Sequence, residues 1–313
     1  MRPYIIRRII LIIPLIWGVV TSVFLVIHLL PGDPAAVLLG PFATSDREVA
    51  LRHMWGLDQP LVVQYIHYLG NVATGNFGTS FLTGQSAAYQ IVTSLPYTVI
   101  LGLSALAIAV GVGIPLGVTA AVRSETVADR LSLFLSLVLI SAPNFLVGIV
   151  LLIVFAGRLG WVPSIGAGTF AQPGSIVSHT ILPAVALSAG LLAYLARITR
   201  TTLMSVFRDD YIRTARAKGL AGASVVFRHA LRNAMLPVLS ILGLAVGDLV
   251  GGTAVIETVF ARPGIGSLLV NSVTGRDYVQ VQACVIILAA SFVVTNLVTD
   301  LCYAAVDPRI QYQ

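Results

Sequence analysis

The chain of 313 residues is 57% hydrophobic and only 10% charged, with a mean hydropathy of +0.92, which leaves too little polar surface to coat a water-soluble domain of this size. Its formal charge of +6 does not describe a nucleic-acid-binding face, because the basic residues sit in short stretches between apolar runs. The composition therefore places the chain in a bilayer, and its helix-length apolar stretches predict an all-α polytopic membrane protein.

Six stretches are long enough to cross the hydrocarbon layer as helices, which takes about 20 apolar residues. The first, Ile9 to Leu30, follows Arg2, Arg7 and Arg8; it exceeds the usual apolar core of a signal peptide, and Pro31-Gly32-Asp33-Pro34 is a poor cleavage context, so it reads as a retained anchor. The outer loop from Pro31 to Pro96 is too long for a simple connector. In it, Ser45 and Glu48 fit a capping box opening a short helix that ends near Gly56. Pro60 then begins an amphipathic stretch through Gln64, Tyr65, Ile66 and Leu69, closed by the turn residues Gly75-Asn76-Phe77-Gly78. Such a loop suits either a cap over the outer mouth or a docking surface for a soluble partner.

The second and third spans, Tyr97 to Val122 and Leu131 to Ala156, contain no Asp, Glu, Lys or Arg. Gly113 and Gly117 give the second a small-residue face, as Gly243, Gly247 and Gly251 do for the fifth, Ala234 to Ile256; such faces let helices approach closely in lipid or line a passage. Pro115, Pro143 and Pro183 fall within or at the edge of spans two, three and four, the fourth being Ile176 to Ala196. Each removes a helical hydrogen bond and so bends or begins a helix. Asn144, beside Pro143, and Asp248 in span five are the polar residues best suited to a translocation path, and Asp300 suits an interface. Between spans five and six, Glu257 to Gln282 is punctuated by Arg262-Pro263-Gly264-Ile265-Gly266 and could dip back toward the membrane. The sixth span, Ala283 to Val306, holds Cys284 and Cys302, 18 residues apart; about 27 Å of helix separates them, so they do not pair.

With the N-terminus inside, the inner segments hold 14 basic residues and the outer ones 5, which predicts that both termini are cytoplasmic. Chemistry on this chain is not indicated. The only lysine, Lys218, precedes Gly219 and not Ser or Thr, so there is no phosphate-binding loop. The five histidines are scattered, with no zinc-binding pattern, and Ser188 lies in no nucleophile elbow. No catalytic and no metal-ligating residues are expected.

The loop between spans four and five, residues 197–237, holds Arg208-Asp209-Asp210-Tyr211-Ile212-Arg213-Thr214-Ala215-Arg216-Ala217-Lys218-Gly219-Leu220 and then Phe227-Arg228-His229-Ala230-Leu231-Arg232-Asn233-Ala234-Met235-Leu236-Pro237. Both halves read as helical. Asp209 and Asp210 suit the positive end of the first helix, Arg216 and Lys218 its negative end, and Gly219 a left-handed terminator. By charge alone the loop is a topology marker.

Its wording resembles the coupling loop of permeases in the dipeptide, oligopeptide and nickel branch of ATP-binding-cassette importers. The resemblance extends to Tyr4 to Arg8, Pro31-Gly32-Asp33-Pro34, Gly56-Leu57-Asp58-Gln59-Pro60-Leu61, Leu95-Pro96-Tyr97-Thr98, Glu257-Thr258-Val259-Phe260 and Asp307-Pro308-Arg309. It departs from the general Glu-Ala-Ala pattern at Arg213-Thr214-Ala215. The resemblance implies a type I importer permease with six transmembrane helices and a periplasmic scoop or re-entrant element, in the bacterial cytoplasmic membrane.

On that basis residues 1–30 would be the tail and first helix, 31–96 the extracytoplasmic loop, 97–306 a five-helix permease core and 307–313 a cytoplasmic tail. Partners would be a second homologous permease subunit, two cytoplasmic ATPase subunits that bind ATP and Mg, and an extracytoplasmic substrate-binding protein. No cofactor on this chain and no nucleic acid are expected, with membrane lipid around it. Tyr211, Arg213, Thr214, Ala215, Arg216, Ala217, Lys218, Gly219 and Leu220 would couple to an ATPase, Ala215 and Gly219 by close approach and the three cations by charge-assisted contacts. The cargo would be di- or oligopeptides. A self-contained secondary carrier would show internal repeats and paired coupling-ion residues, and an intramembrane hydrolase an acid pair that Asp248 and Asp300, at different helix depths, do not form.

Overall fold

The computed structural model describes residues 2–29, 49 and 58–306, and regular structure in it is helical apart from one isolated antiparallel bridge between Thr79 and Ser86. The helix expected between Ser45 and Gly56, apart from Val49, and the closing Asp307-Pro308-Arg309 lie outside the described residues. In chain order the helices are α1 (Arg2–Leu29), α2 (Leu61–Ala73), α3 (Ala87–Val122), α4 (Val127–Ser141), α5 (Asn144–Leu151), α6 (Pro173–Val206), α7 (Asp210–Ala217), α8 (Leu231–Val259), α9 (Ile265–Thr274) and α10 (Tyr278–Val306). Wider π-helical turns extend α5 through Leu152–Arg158 and lead into α8 through Val225–Ala230.

Within the described residues, five of the six predicted apolar segments lie on unbroken helices. Among the described residues α3, α6 and Tyr278–Thr299 of α10 are each long and apolar enough to cross a membrane. The third segment differs from the continuous span expected. It breaks between α4 and α5, where the helix direction bends by 106°. The cause is Pro143, which has no N–H to donate and whose ring drives the preceding residue out of the helical region. Ala142 accordingly sits at φ −83°, ψ 128° and Pro143 at φ −58°, ψ 136°, two extended residues in succession.

The described residues of Tyr97–Arg262 and of the chain from Val294 onward form one compact unit, and those of Arg2–Pro96 and Pro263–Val293 a second. In the first unit α6 is the central element, with 56% of its apolar window buried against 22% for α3. It packs on α4, α5 and α8. Leu101 and Ala105 of α3, Ala186 and Leu187 of α6, Ile256 of α8 and the following Phe260 make one core cluster. The small-residue face of α3 serves this packing. A methyl group on Gly117 would stand 2.5 Å from the Ala196 carbonyl oxygen, and one on Gly113 2.7 Å from that of Leu192, so two helix backbones meet here.

In the second unit α2 starts after Pro60 and ends in Gly75 at φ 74° and Gly78 at φ 87°, as the turn residues predict. It docks on α1 through an aromatic group: Tyr65 and Tyr68 pack on Phe24, and the Tyr65 and Thr21 hydroxyls are 2.6 Å apart. At the other end of this unit the chain after α9 turns through Arg276 at φ 56° and buries Asp277. Its carboxylate accepts from the Ser80 hydroxyl, from the Leu82 amide and from the Gln280 amide. Replacing Asp277 with alanine leaves those donors without an acceptor, and is expected to cost about 1.5–3 kcal/mol of stability. A denaturation midpoint equal to the wild type's would show that the cluster contributes nothing.

Candidate functional site

Part of the basic loop, Asp210–Ala217, folds into a short helix with defined ends. Asp209 is its N-cap, Asp210 lies in the first turn and Arg216 in the last, so its charges complement the helix dipole. At the far end Gly219 adopts φ 76°. The Gly219 amide donates to the Arg216 carbonyl at 3.0 Å and the Leu220 amide to that of Ala215 at 3.4 Å, the paired bonds of a Schellman end with glycine in its left-handed position. The terminator read from the sequence is therefore the one the backbone uses.

The two faces of α7 have different fates. Ile212 is 0% and Ala215 6% exposed. Three residues apart, they share one face, which enters a core with Val118 and Ala121 of α3, Leu203 of α6, Val225 and Ala230 of the π turn, and Ala234 of α8. The i→i+5 pattern of that turn brings residues five apart to one side, which is how Val225 and Ala230 can both be buried. Tyr211, Arg213, Thr214, Arg216, Ala217, Lys218, Gly219 and Leu220 are all exposed. Ala215 is thus placed differently from the reading that gave it to a partner surface: its small side chain lets α7 sit close on its own bundle. The space around a Gly219 Cβ is open for 4 Å. Ile212 was not among the predicted site residues, although its position three before Ala215 was the available signal.

Several exposed groups are tied down within the chain. The Asn233 amide donates to the Tyr211 hydroxyl at 2.8 Å, linking α7 to the first turn of α8. The Arg216 guanidinium lies 5.8 Å from the Phe207 ring centroid, within range of a cation–π contact, and Arg213 pairs with Asp210 at 3.5 Å.

Beside this end of the unit, Asp129 in the first turn of α4 is 2% exposed and receives Arg200 of α6 through both guanidinium edges, Nε to Oδ1 and Nη2 to Oδ2 at 2.8 Å. The Glu125 amide also donates to this carboxylate at 2.9 Å. Sequence reasoning counted Arg200 only as a topology charge.

Of the translocation-path candidates, Asn144 opens α5 at the break and donates its amide to the Leu187 carbonyl of α6 at 3.3 Å. Asp248 lies on α8, but its side chain, like that of Asp300, is outside the described residues. The opposite end of the unit holds a second polar cluster the sequence did not reveal. Glu257, 0% exposed, accepts from the Thr98 hydroxyl at 2.7 Å. Arg262, 1% exposed, donates to the His179 carbonyl at 3.0 Å and to the Thr180 hydroxyl at 3.2 Å. Burial pulls the Arg262 guanidinium below its usual pKa, and the Glu257 carboxylate and Tyr97 oppose that pull. Among the described residues no group of three or more His, Cys, Asp or Glu is arranged to hold a metal ion.

The described residues form a helical bundle on which the short helix α7 is docked. Residues 113–312 match the family model of the binding-protein-dependent transport system inner membrane component, and residues 1–102 that of the N-terminal region of such membrane components. The glutathione transport system permease proteins GsiC of Salmonella typhimurium and of Escherichia coli K12 are each 41% identical to the chain over 313 residues, covering 100% of both sequences. Two structures of the MetNI methionine ABC transporter in inward-facing conformations share the fold. One has a TM-score of 0.54 at 19% identity and the other 0.57 at 17%, each covering 70% of this chain and 97% of the transporter chain.

The chain belongs to the family of binding-protein-dependent transport system inner membrane components. It is a multi-pass permease subunit of an ATP-binding-cassette importer, with the type I importer permease fold. ATP hydrolysis in such importers lies in partner subunits.

Proposed function

We propose that the chain forms one half of the pathway of an importer for short peptides, and that α7 is the point at which a cytoplasmic ATPase moves it. The supporting observation is the division of α7 into an exposed polar face and an anchor, Ile212 and Ala215, set among residues of α3, α6 and α8. A displacement of α7 would pull on three long helices together. The second half would be a homologous permease, with two ATPases below, where ATP and Mg bind, and a substrate-binding protein outside. Both termini would be cytoplasmic and six helices would cross the bilayer. Asn144 and Asp248 remain the candidates for the path, and the cargo follows from the family branch and from relatives named for glutathione, itself a short peptide.

Gly219 supplies the test. Valine there is strained by φ 76°, whereas asparagine tolerates the left-handed region. In the complex reconstituted with its ATPases and binding protein, Gly219→Val is expected to lower peptide-stimulated ATPase and uptake about tenfold, and Gly219→Asn by less than about twofold. Full coupling in Gly219→Val would remove α7 from the proposed role. Competition of labelled dipeptide uptake by glutathione and by nickel separates the cargo classes; uptake of nickel alone would overturn the peptide reading.

A further inference from the structure

Pro183 lies inside α6. A helix interior expects the amide of residue 183 to bond the carbonyl of residue 179, and proline has no such amide. The orphaned His179 carbonyl is the one that Arg262 occupies, at 3.0 Å, with the Thr180 hydroxyl 3.2 Å from the same guanidinium nitrogen. We propose that Arg262 is a positioning residue that stands in for the missing amide of Pro183 and holds the outer turn of α6 in register with α3 and α8. The proposal rests on the chain being an importer permease.

Two features argue that this arrangement is more than incidental packing. A cation this deeply buried is unfavourable without a counter-charge, and one is supplied: Glu257, buried on α8 and held by Thr98 of α3, acts on Arg262 electrostatically. The backbone also bends to deliver it. The Arg262 amide donates to the Glu257 carbonyl at 2.8 Å and the Ala261 amide to that of Thr258 at 3.2 Å, a Schellman end whose left-handed position is filled by Ala261 at φ 47°. Alanine there is strained where glycine would not be. Helix α6 then carries the contact across the unit, because its other end, Leu203, is packed with Ile212 of α7.

The test uses the full complex. Arg262→Met with Glu257→Gln removes the clamp without leaving a lone carboxylate, and adding Pro183→Ala restores the absent amide. The double variant is expected to speed amide hydrogen exchange across residues 176–186 about tenfold and to lower uptake per ATP hydrolysed. The triple variant is expected to return both to within about twofold of the wild type. If Arg262→Met does not accumulate, Arg262→Lys, which keeps the charge but loses the planar fork, is expected to show a smaller rise that Pro183→Ala likewise reverses. Exchange unchanged in the double variant, or no recovery in the triple, would overturn the proposal. Exchange that follows the pattern in a complex whose wild type imports nothing would support the clamp and count against the permease reading instead.

Discussion

Gly117→Ala is expected to destabilise the protein by about 2–3 kcal/mol, although it adds one methyl group to a helix and improves intrinsic helix propensity. The methyl would lie 2.5 Å from the Ala196 carbonyl oxygen and 2.6 Å from Thr199 Cβ, backbone and branched carbon that cannot swing aside. The helices α3 and α6 would have to separate where their backbones meet, at Gly113 and Gly117. Gly102, on the same helix, has nothing within 4 Å of its notional Cβ. There alanine is expected to stabilise by about 0.5–1 kcal/mol, the ordinary gain over glycine in a helix. Opposite signs in thermal or chemical denaturation of the two variants are the expected result; equal shifts would mean that α3 and α6 do not touch at Gly117.

Asp129→Asn is expected to cost about 3 kcal/mol, because it strands the Arg200 guanidinium in a place it occupies only with a counter-charge. Asp129 is 2% and Arg200 17% exposed, and the pair is bidentate, which sets it apart from a surface ion pair worth little. Removing both charges should cost less than the sum of the two single changes, with a coupling of at least about 1 kcal/mol. Additive losses would show that the two side chains act independently. The pair fastens α4 to α6 close to Leu203, so the single variants should also loosen the seat of α7 and raise hydrogen exchange across Asp210–Ala217.

Local rules were enough to read many of these elements. Apolar runs located the long helices, Pro60 and Gly75 bounded α2, and Gly219 ended α7, because each depends on residues within a few positions. The features missed are those joining distant positions. Asp129 and Arg200 are 71 residues apart and Thr98 and Glu257 are 159 apart, and a single sequence carries no sign that either pair meets. Pro143 was legible as a disturbance but not as a 106° turn, since proline bends one helix and begins another depending on what its neighbours pack against. The burial of Ala215 within its own bundle was not legible for a related reason. Smallness signals close approach, but only the tertiary structure says to what.

The break at Pro143 also fixes something about the surroundings of this protomer. A helix leaves its last carbonyls and its first amides without intrahelical partners, and the meeting of α4 and α5 sets one end of each kind side by side within a single apolar segment. Bare polar backbone facing hydrocarbon costs several kcal/mol per group. Where this elbow lies in the hydrocarbon layer it needs protein or water beside it, and part of that protein is α6 of the same chain, whose Leu187 carbonyl accepts from Asn144.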